Sequence, residues 1–175
     1  FKFAPDAIKK SLLQVLGFFT ISDELVEDNL STRFIQEIKI KEIERLYRLQ
    51  AMMEDVHSET YGSNLVAVCS DQKKVFADIK TNPTIQLKSN WVQRWISSNT
   101  SFATRCVAFV CVEGILFSSS FAFIDWLKTQ KYQFTGTFLA NKYISADEAS
   151  HTRAGFAVYG HIVNRLSTGD IKKII

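Results

Sequence analysis

Apolar residues recur at helical spacing from Ile8 through Leu12, Val15, Phe18 and Phe19 to Leu25, Val26 and Leu30. This pattern predicts a long amphipathic helix. Pro5 and Asp6 suit its first turn, and Ser31-Thr32 reads as its break. A second periodic stretch covers Ile35 to Val68, with Ile38, Ile40, Ile43, Leu46, Leu49, Met52, Met53 and Val56 in phase. Ser70 to Asn99 reads as short helices around an Asn82-Pro83 turn, with Trp91 and Trp95 packing inward. Ser101 to Lys128 predicts a third long helix, and Thr129 to Gly136 a loop. A fourth helix is expected from Ala140 to Leu166, ended by Ser167-Thr168-Gly169-Asp170. Ile171 to Ile175 opens a further element. The pattern is all-α: a four-helix bundle core with short accessory helices.

Composition narrows this picture. The 175 residues suit a single domain, 1–175. Apolar residues at 46% and charged residues at 22% exclude a disordered tail, a collagen-like repeat and a disulfide scaffold. Gly 7 and Pro 2 leave few breakers, as long helices require. The net charge of +3 is mild, and basic residues alternate with acids, as in Lys39, Lys41, Glu42, Glu44 and Arg45. No basic stripe points to nucleic acid. Cys69, Cys106 and Cys111 form no CxxC pair, which predicts reduced thiols in a cytoplasmic protein. The chain starts at Phe1 rather than Met, so a piece of a longer or processed polypeptide is expected.

Two segments imitate membrane or targeting signals. Lys9-Lys10 and the apolar run to Ile21 lack a small-residue cleavage site and lead straight into Ser22-Asp23-Glu24. Cys106 to Ile124 is a 19-residue run with Glu113 near its middle. A carboxylate at the bilayer centre costs about 2.5–3.5 kcal/mol. A buried core helix with one inward, partnered carboxylate is the expectation, with no membrane span.

The histidines carry the chemistry. Two of the three have Glu three residues earlier: Glu54-Asp-Val-His57 and Glu148-Ala-Ser-His151. Residues i and i+3 share a helix face, so each ExxH offers a carboxylate and an imidazole to one point. Each also has a lone carboxylate in apolar surroundings on the preceding long helix. Asp23 lies 31 residues before Glu54, and Glu113 lies 35 before Glu148. Four carboxylates and two imidazoles on facing helices form a di-iron or di-manganese site in a ferritin-like bundle. Carboxylates balance the cationic charge and can bridge two ions, while imidazole suits iron. Taken singly, Ser145-x-x-Glu148 and Thr20-x-x-Asp23 are also possible capping boxes. His161, with Val158 at i−3, stands outside the set. Tyr61 shares a helix face with Glu54 and His57; it is either a redox residue near the metals or a packed core tyrosine.

At this point the residues resemble a known family. Met53-Glu-Asp-Val-His-Ser-Glu-Thr-Tyr61, Val112-Glu-Gly-Ile-Leu-Phe-Ser-Ser-Ser-Phe121 and Ile144-Ser-Ala-Asp-Glu-Ala-Ser-His151 are similar to motifs of the class I ribonucleotide reductase small subunit, eukaryotic and viral type. Phe18 to Leu30 resembles that family's first ligand helix. The resemblance covers nearly the whole chain, in order.

The resemblance implies that Asp23, Glu54 and His57 bind one iron and that Glu113, Glu148 and His151 bind the other. Tyr61 would become a stable radical, shielded by Phe117, Phe121 and Ile144. Asp147 would hydrogen-bond a ligand histidine. It further implies two iron ions, with manganese as the alternative, and a homodimer or small-subunit heterodimer. The radical equivalent would pass to a cysteine of a large catalytic subunit that makes deoxyribonucleotides. Ala146 departs from the arginine common before the Asp-Glu pair, and touches the expected hydrogen bonding and relay. The family's relay tryptophan and docking tail are expected outside Phe1–Ile175; Trp91, Trp95 and Trp126 do not match that tryptophan. The competing expectations are a radical-free ferritin-like oxidase or ferroxidase, and a non-catalytic paralogue.

Overall fold

The structure is a computed structural model that describes residues 4–96 and 99–175. The remaining residues, among them Phe1 and, in the Ser70–Asn99 stretch, Ser97 and Ser98, lie outside the described set. Helix α1 spans Asp6–Asn29, with Pro5 at its N-cap and the Lys9 amide on the Pro5 carbonyl at 3.0 Å. It does not break at Ser31-Thr32. The chain widens there into a π-helical turn, Leu30–Phe34, and runs on through Ile35–Glu37. Ser31 Oγ donates to Glu27 Oε1 at 2.6 Å and Thr32 Oγ1 to the Asp28 carbonyl at 2.6 Å, so both hydroxyls bond back along the helix. The real break falls at Ile38 and Ile40, both extended, which divides the stretch expected as one helix from Ile35.

Helix α2 spans Lys41–Val68, with Glu42 and Glu44 in its first turn, where acids suit the helix dipole. Two accessory helices follow: α3, Gln72–Thr81, capped by Asp71, and α4, Pro83–Ile96, with Asn82 Oδ1 accepting from the Thr84 amide at 3.0 Å. Trp91 packs against the core and meets Trp95 edge-on at 6.3 Å. Helix α5, Phe102–Cys111, starts on a Ser101 cap and passes through a second π-helical turn, Val112–Leu116, into α6, Ser118–Thr129. The fourth long helix, α7, spans Thr135–Gly160, shifted towards the N-terminus from the expected Ala140–Leu166. Past Gly160 the chain folds back, and the Leu166 amide donates to Tyr159 Oη at 3.0 Å. Ser167 opens a new helix rather than closing the old one. Its Oγ accepts the Asp170 amide at 3.1 Å and caps α8, Thr168–Ile174.

The described residues are helical, with no strand among them. One hydrophobic cluster runs through the bundle, including Leu16, Phe19, Val26, Phe34, Leu65, Phe109, Ile124 and Leu127. The α5–π–α6 rod, Phe102–Thr129, is long and apolar enough to cross a membrane, yet 61% of its most apolar window is buried inside the protein. It is a core helix. Close approach shapes the packing at Gly155: a Cβ there would lie 2.5 Å from Val110 Cγ2. Cys69, Cys106 and Cys111 are free thiols.

Candidate metal centre

The two long-helix pairs point their polar residues at one place. Asp23 comes from α1, Glu54 and His57 from α2, Glu113 from the second π-helical turn, and Glu148 and His151 from α7. All six are buried, and Glu54 has no exposure. Glu54, Glu113, Glu148 and His151 present ligand atoms that lie within 4.8 Å of one another. His57 joins them through Nδ1, 3.3 Å from Glu54 Oε2 and 3.0 Å from Glu148 Oε1. His151 Nδ1 mirrors it, 2.9 Å from Glu54 Oε1 and 3.2 Å from Glu148 Oε2. Glu54 and Glu148 therefore lie between both imidazoles, Glu113 belongs to the same cluster, and Asp23 joins by no hydrogen bond, only by feeling the charges of Glu54, Glu148 and His57. Neither Thr20 nor Ser145 caps a helix. Both sit mid-helix, and their hydroxyls donate back to the Leu16 and Lys142 carbonyls.

Electrostatics shows what such a cluster needs. Burial, then the Glu54 and Glu148 charges, raises the Asp23 carboxyl well above its ordinary value. Burial, then the same two charges, does so for Glu113. Burial works against a charged His57, but hydrogen bonds to Glu148 and Glu54 outweigh it and lift the imidazole to about 11. The same contest leaves His151 at about 9. For Glu148, burial is overcome by hydrogen bonds from Glu113, His151 and His57, which hold its carboxyl low. The upward shifts of Asp23, Glu113, His57 and His151 all favour the protonated form. Both oxygens of Asp23 and Oε2 of Glu113 are buried without a hydrogen-bond partner, a costly state for polar atoms. Two divalent cations among four carboxylates and two imidazoles would satisfy these atoms and balance the charge, so the donor set fits a di-metal carboxylate centre.

Two further polar side chains contact the cluster. His57 Nε2 lies 3.2 Å from Asp147 Oδ2, a contact expected of Asp147. Gln50, which the sequence reading missed, is buried one turn before Glu54. Its Nε2 donates to Glu113 Oε1 at 2.9 Å and reaches Glu54 Oε1 at 3.4 Å. The signal was available, since Gln50 sits on the ligand face at i−4 from Glu54. Ala146 is exposed.

Tyr61 is fully buried, and its hydroxyl has no hydrogen-bond partner. Burial first, then the Asp23 and Glu148 charges, pushes the phenol up and keeps it protonated. Phe19, a second omission of the sequence reading, stacks on its ring at 4.5 Å and 11°. Phe117 and Phe121 pack on Phe19 at 5.6 and 4.8 Å, and so form the outer layer of this aromatic wall. Ile144 is buried, and lines a groove with Met53, Val56, His57 and Asp147. A second tyrosine, Tyr47, is equally buried one turn beyond Gln50. It sits edge-on to Phe34 at 5.5 Å and beside the Cys106 thiol.

The sequence matches the family described as "Ribonucleotide reductase, small chain" over residues 3–175. It is 38% identical over 170 residues to a ribonucleoside-diphosphate reductase small chain of Plasmodium falciparum (isolate Dd2), covering 95% of this chain and 48% of the relative. It is 40% identical over 164 residues to the small subunit of Dictyostelium discoideum, covering 92% and 48%. A small chain of Acanthamoeba polyphaga mimivirus is 36% identical over 174 residues, covering 97% and 42%. The chain thus spans about half the length of the curated relatives it matches.

Proposed function

The chain belongs to the ribonucleotide reductase small-chain family, and from that premise we propose that it serves as the radical-generating small subunit of a ribonucleoside-diphosphate reductase. The observation that carries the proposal is the buried cluster of Glu54, Glu113, Glu148, His151 and His57, with Asp23 buried in its field, and the sealed phenol of Tyr61 that feels the Asp23 and Glu148 charges. Asp23, Glu54 and His57 would hold one iron, and Glu113, Glu148 and His151 the other, with manganese as the alternative. When bound, the pair supplies the dioxygen-dependent, one-electron oxidation that a phenol cannot undergo alone.

The protein's own residues then divide the work. Glu54 and Glu148, each within reach of both imidazoles, would hold the two half-sites together. Asp147 fixes the His57 ring, and such a partner sets tautomer and orientation. Tyr61 would be the electron donor to that oxidation and would pass its phenolic proton to a carboxylate, Asp23 being the first whose charge its hydroxyl feels. Phe19, Phe117 and Phe121 keep water away, so the oxidised ring meets no ready reductant. The oxidising equivalent would go to a cysteine of the large subunit, where the nucleotide is reduced. A small-subunit dimer in the cytoplasm is the form in which we propose it acts.

Electron paramagnetic resonance with metal quantitation on the full-length protein tests this reading. Anaerobic ferrous loading followed by dioxygen should yield about two metal ions per chain, a sharp visible band and a tyrosyl signal. Tyr61→Phe should lose the signal and keep the metal, whereas Tyr47→Phe should keep both. A fully loaded wild type that never forms a radical sinks the proposal and favours a radical-free oxidase. A folded protein that refuses the metals favours a non-catalytic paralogue.

A further inference from the structure

Lys88 lies on α4, an accessory helix that carries none of the six ligands. Its ammonium nonetheless donates to the Leu116 carbonyl at 2.6 Å and to Ser119 Oγ at 3.3 Å. It also rests 5.0 Å from the centroid of the Phe18 ring, which packs edge-on against Phe117. Leu116 is the last residue of the π-helical turn that carries Glu113.

The junction behind this turn explains why a lysine is needed. A π turn widens the backbone ladder by one residue, and such turns concentrate at functional sites. The helix resumes at Ser118. The Ser120 amide, which would serve Leu116 in a continuous α-helix, donates to Phe117 instead at 3.0 Å, as does the Phe121 amide at 3.1 Å. Side chains take over the carbonyls at the exit. Ser118 Oγ donates to the Ile115 carbonyl at 2.7 Å, and Lys88 takes Leu116. Inside the turn, Gly114 lets the backbone approach α7, since a Cβ there would lie 3.0 Å from Thr152 Cγ2.

Register is what the turn controls. Each α-helical residue turns the chain by about 100°, so one residue more or less swings everything beyond it to another face. Glu113 lies inside the turn, while Phe117 and Phe121 lie just past it, and all three are buried. At i, i+4 and i+8 the three share one helix face, and the turn sets where that face points relative to α5.

We propose that Lys88 is a positioning residue: by holding the Leu116 carbonyl it keeps the π turn open, which aims Glu113 at the metals and Phe117 at the wall of the Tyr61 pocket. The proposal deepens the metal-site reading and rests on it. It predicts an effect confined to one half of the site, although Lys88 touches no ligand.

The test is Lys88→Met in the full-length protein, with anaerobic titration by manganous ion and hydrogen exchange of the amides from Phe117 to Phe121. One ion should bind as in the wild type, and the other about tenfold more weakly. The five amides should exchange faster even without metal. Lys88→Arg, which keeps a long charged donor, should restore both readouts. Should Lys88→Met fail to fold, Lys88→Gln takes its place, with the same two readouts and the same expected outcome. Two ions bound with wild-type affinity and unchanged exchange overturn the proposal. So does equal weakening of both ions that arginine does not rescue, which marks a general loss of stability. If the wild type binds no metal, the metal-site reading fails, and the exchange measurement alone decides whether Lys88 holds the turn.

Discussion

The two halves of the candidate site contain the same kinds of side chain and are held by different means. In the half built by α1 and α2, Asp23, Glu54 and His57 all sit on regular α-helix. In the other half, Glu113 sits on a π turn and only Glu148 and His151 on regular helix. His57 is tied at both ring nitrogens, by Glu54 and Asp147. His151 is tied at Nδ1, while its Nε2 is buried without a partner. Glu113 has an amide donor in Gln50, whereas Asp23 has none. The supports cross over. Gln50 of α2 steadies the carboxylate of the second half, and Asp147 of α7 steadies the imidazole of the first. Each half is therefore supported from the other's helix, which makes the site a product of the assembled bundle.

The largest expected difference between the halves is their response to pH without metal. Both imidazoles have folded values above the ordinary 6.5, His57 at about 11 and His151 at about 9. A group raised on folding stabilises fully below its unfolded value, and that stability disappears as pH rises through the folded value. The imidazole contribution should therefore be lost from about pH 6.5 upward, adding to the loss that the raised Asp23 and Glu113 carboxyls begin at lower pH. His151 should deprotonate before His57. Metal binding needs neutral imidazoles, so affinity should fall as pH drops. Thermal melts of the metal-free protein across this range, with histidine NMR to order the two rings, provide the check. A flat profile from pH 6.5 to 9 would contradict the shifts.

The crossed supports come next. Gln50→Leu removes the donor to Glu113, and Asp147→Ala removes the partner of His57. Each should weaken metal binding by about 10–100-fold, Gln50→Leu chiefly for the ion beside Glu113 and Asp147→Ala chiefly for the ion beside His57. Metal titrations of the two variants and of the double variant separate the halves. If either single variant binds both ions as the wild type does, its crossed support is structural ornament.

The smallest effects concern glycine. Gly155→Ala, with its Cβ 2.5 Å from Val110 Cγ2 between α7 and α5, should cost about 1–3 kcal/mol. Gly62→Ala on α2 meets nothing closer than Thr20 Cγ2 at 3.8 Å, and should stabilise by about 0.5–1 kcal/mol. Chemical denaturation of both variants measures the contrast. A gain at Gly155 would mean that the helices of the second half separate easily.

Much of the fold was legible in the sequence because helices announce themselves by periodicity. The four long helices and the Asn82-Pro83 turn lay near their expected places. Their ends were less legible. Ser31-Thr32 looked like a break, but hydroxyls can bond back along a helix, and a π turn leaves no compositional mark. The six metal-type residues and Tyr61 could be picked out because ExxH spacing is a local property of one helix face. Gln50, Phe19 and Lys88 could not be picked out so readily, because each acts on a residue from another helix. Phe19 meets Tyr61, Gln50 meets Glu113, and Lys88 meets Leu116.

By itself, the sequence determined the all-helical class, the residue types of the site and which of them share a helix face. These follow from spacing along one chain segment and from side-chain chemistry. Only the tertiary structure decided which carboxylates lie between both imidazoles, which of the six side chains have a second partner, and which ring covers Tyr61. Those are distances between helices, set by how close the backbones can pack and by where a π turn shifts the register.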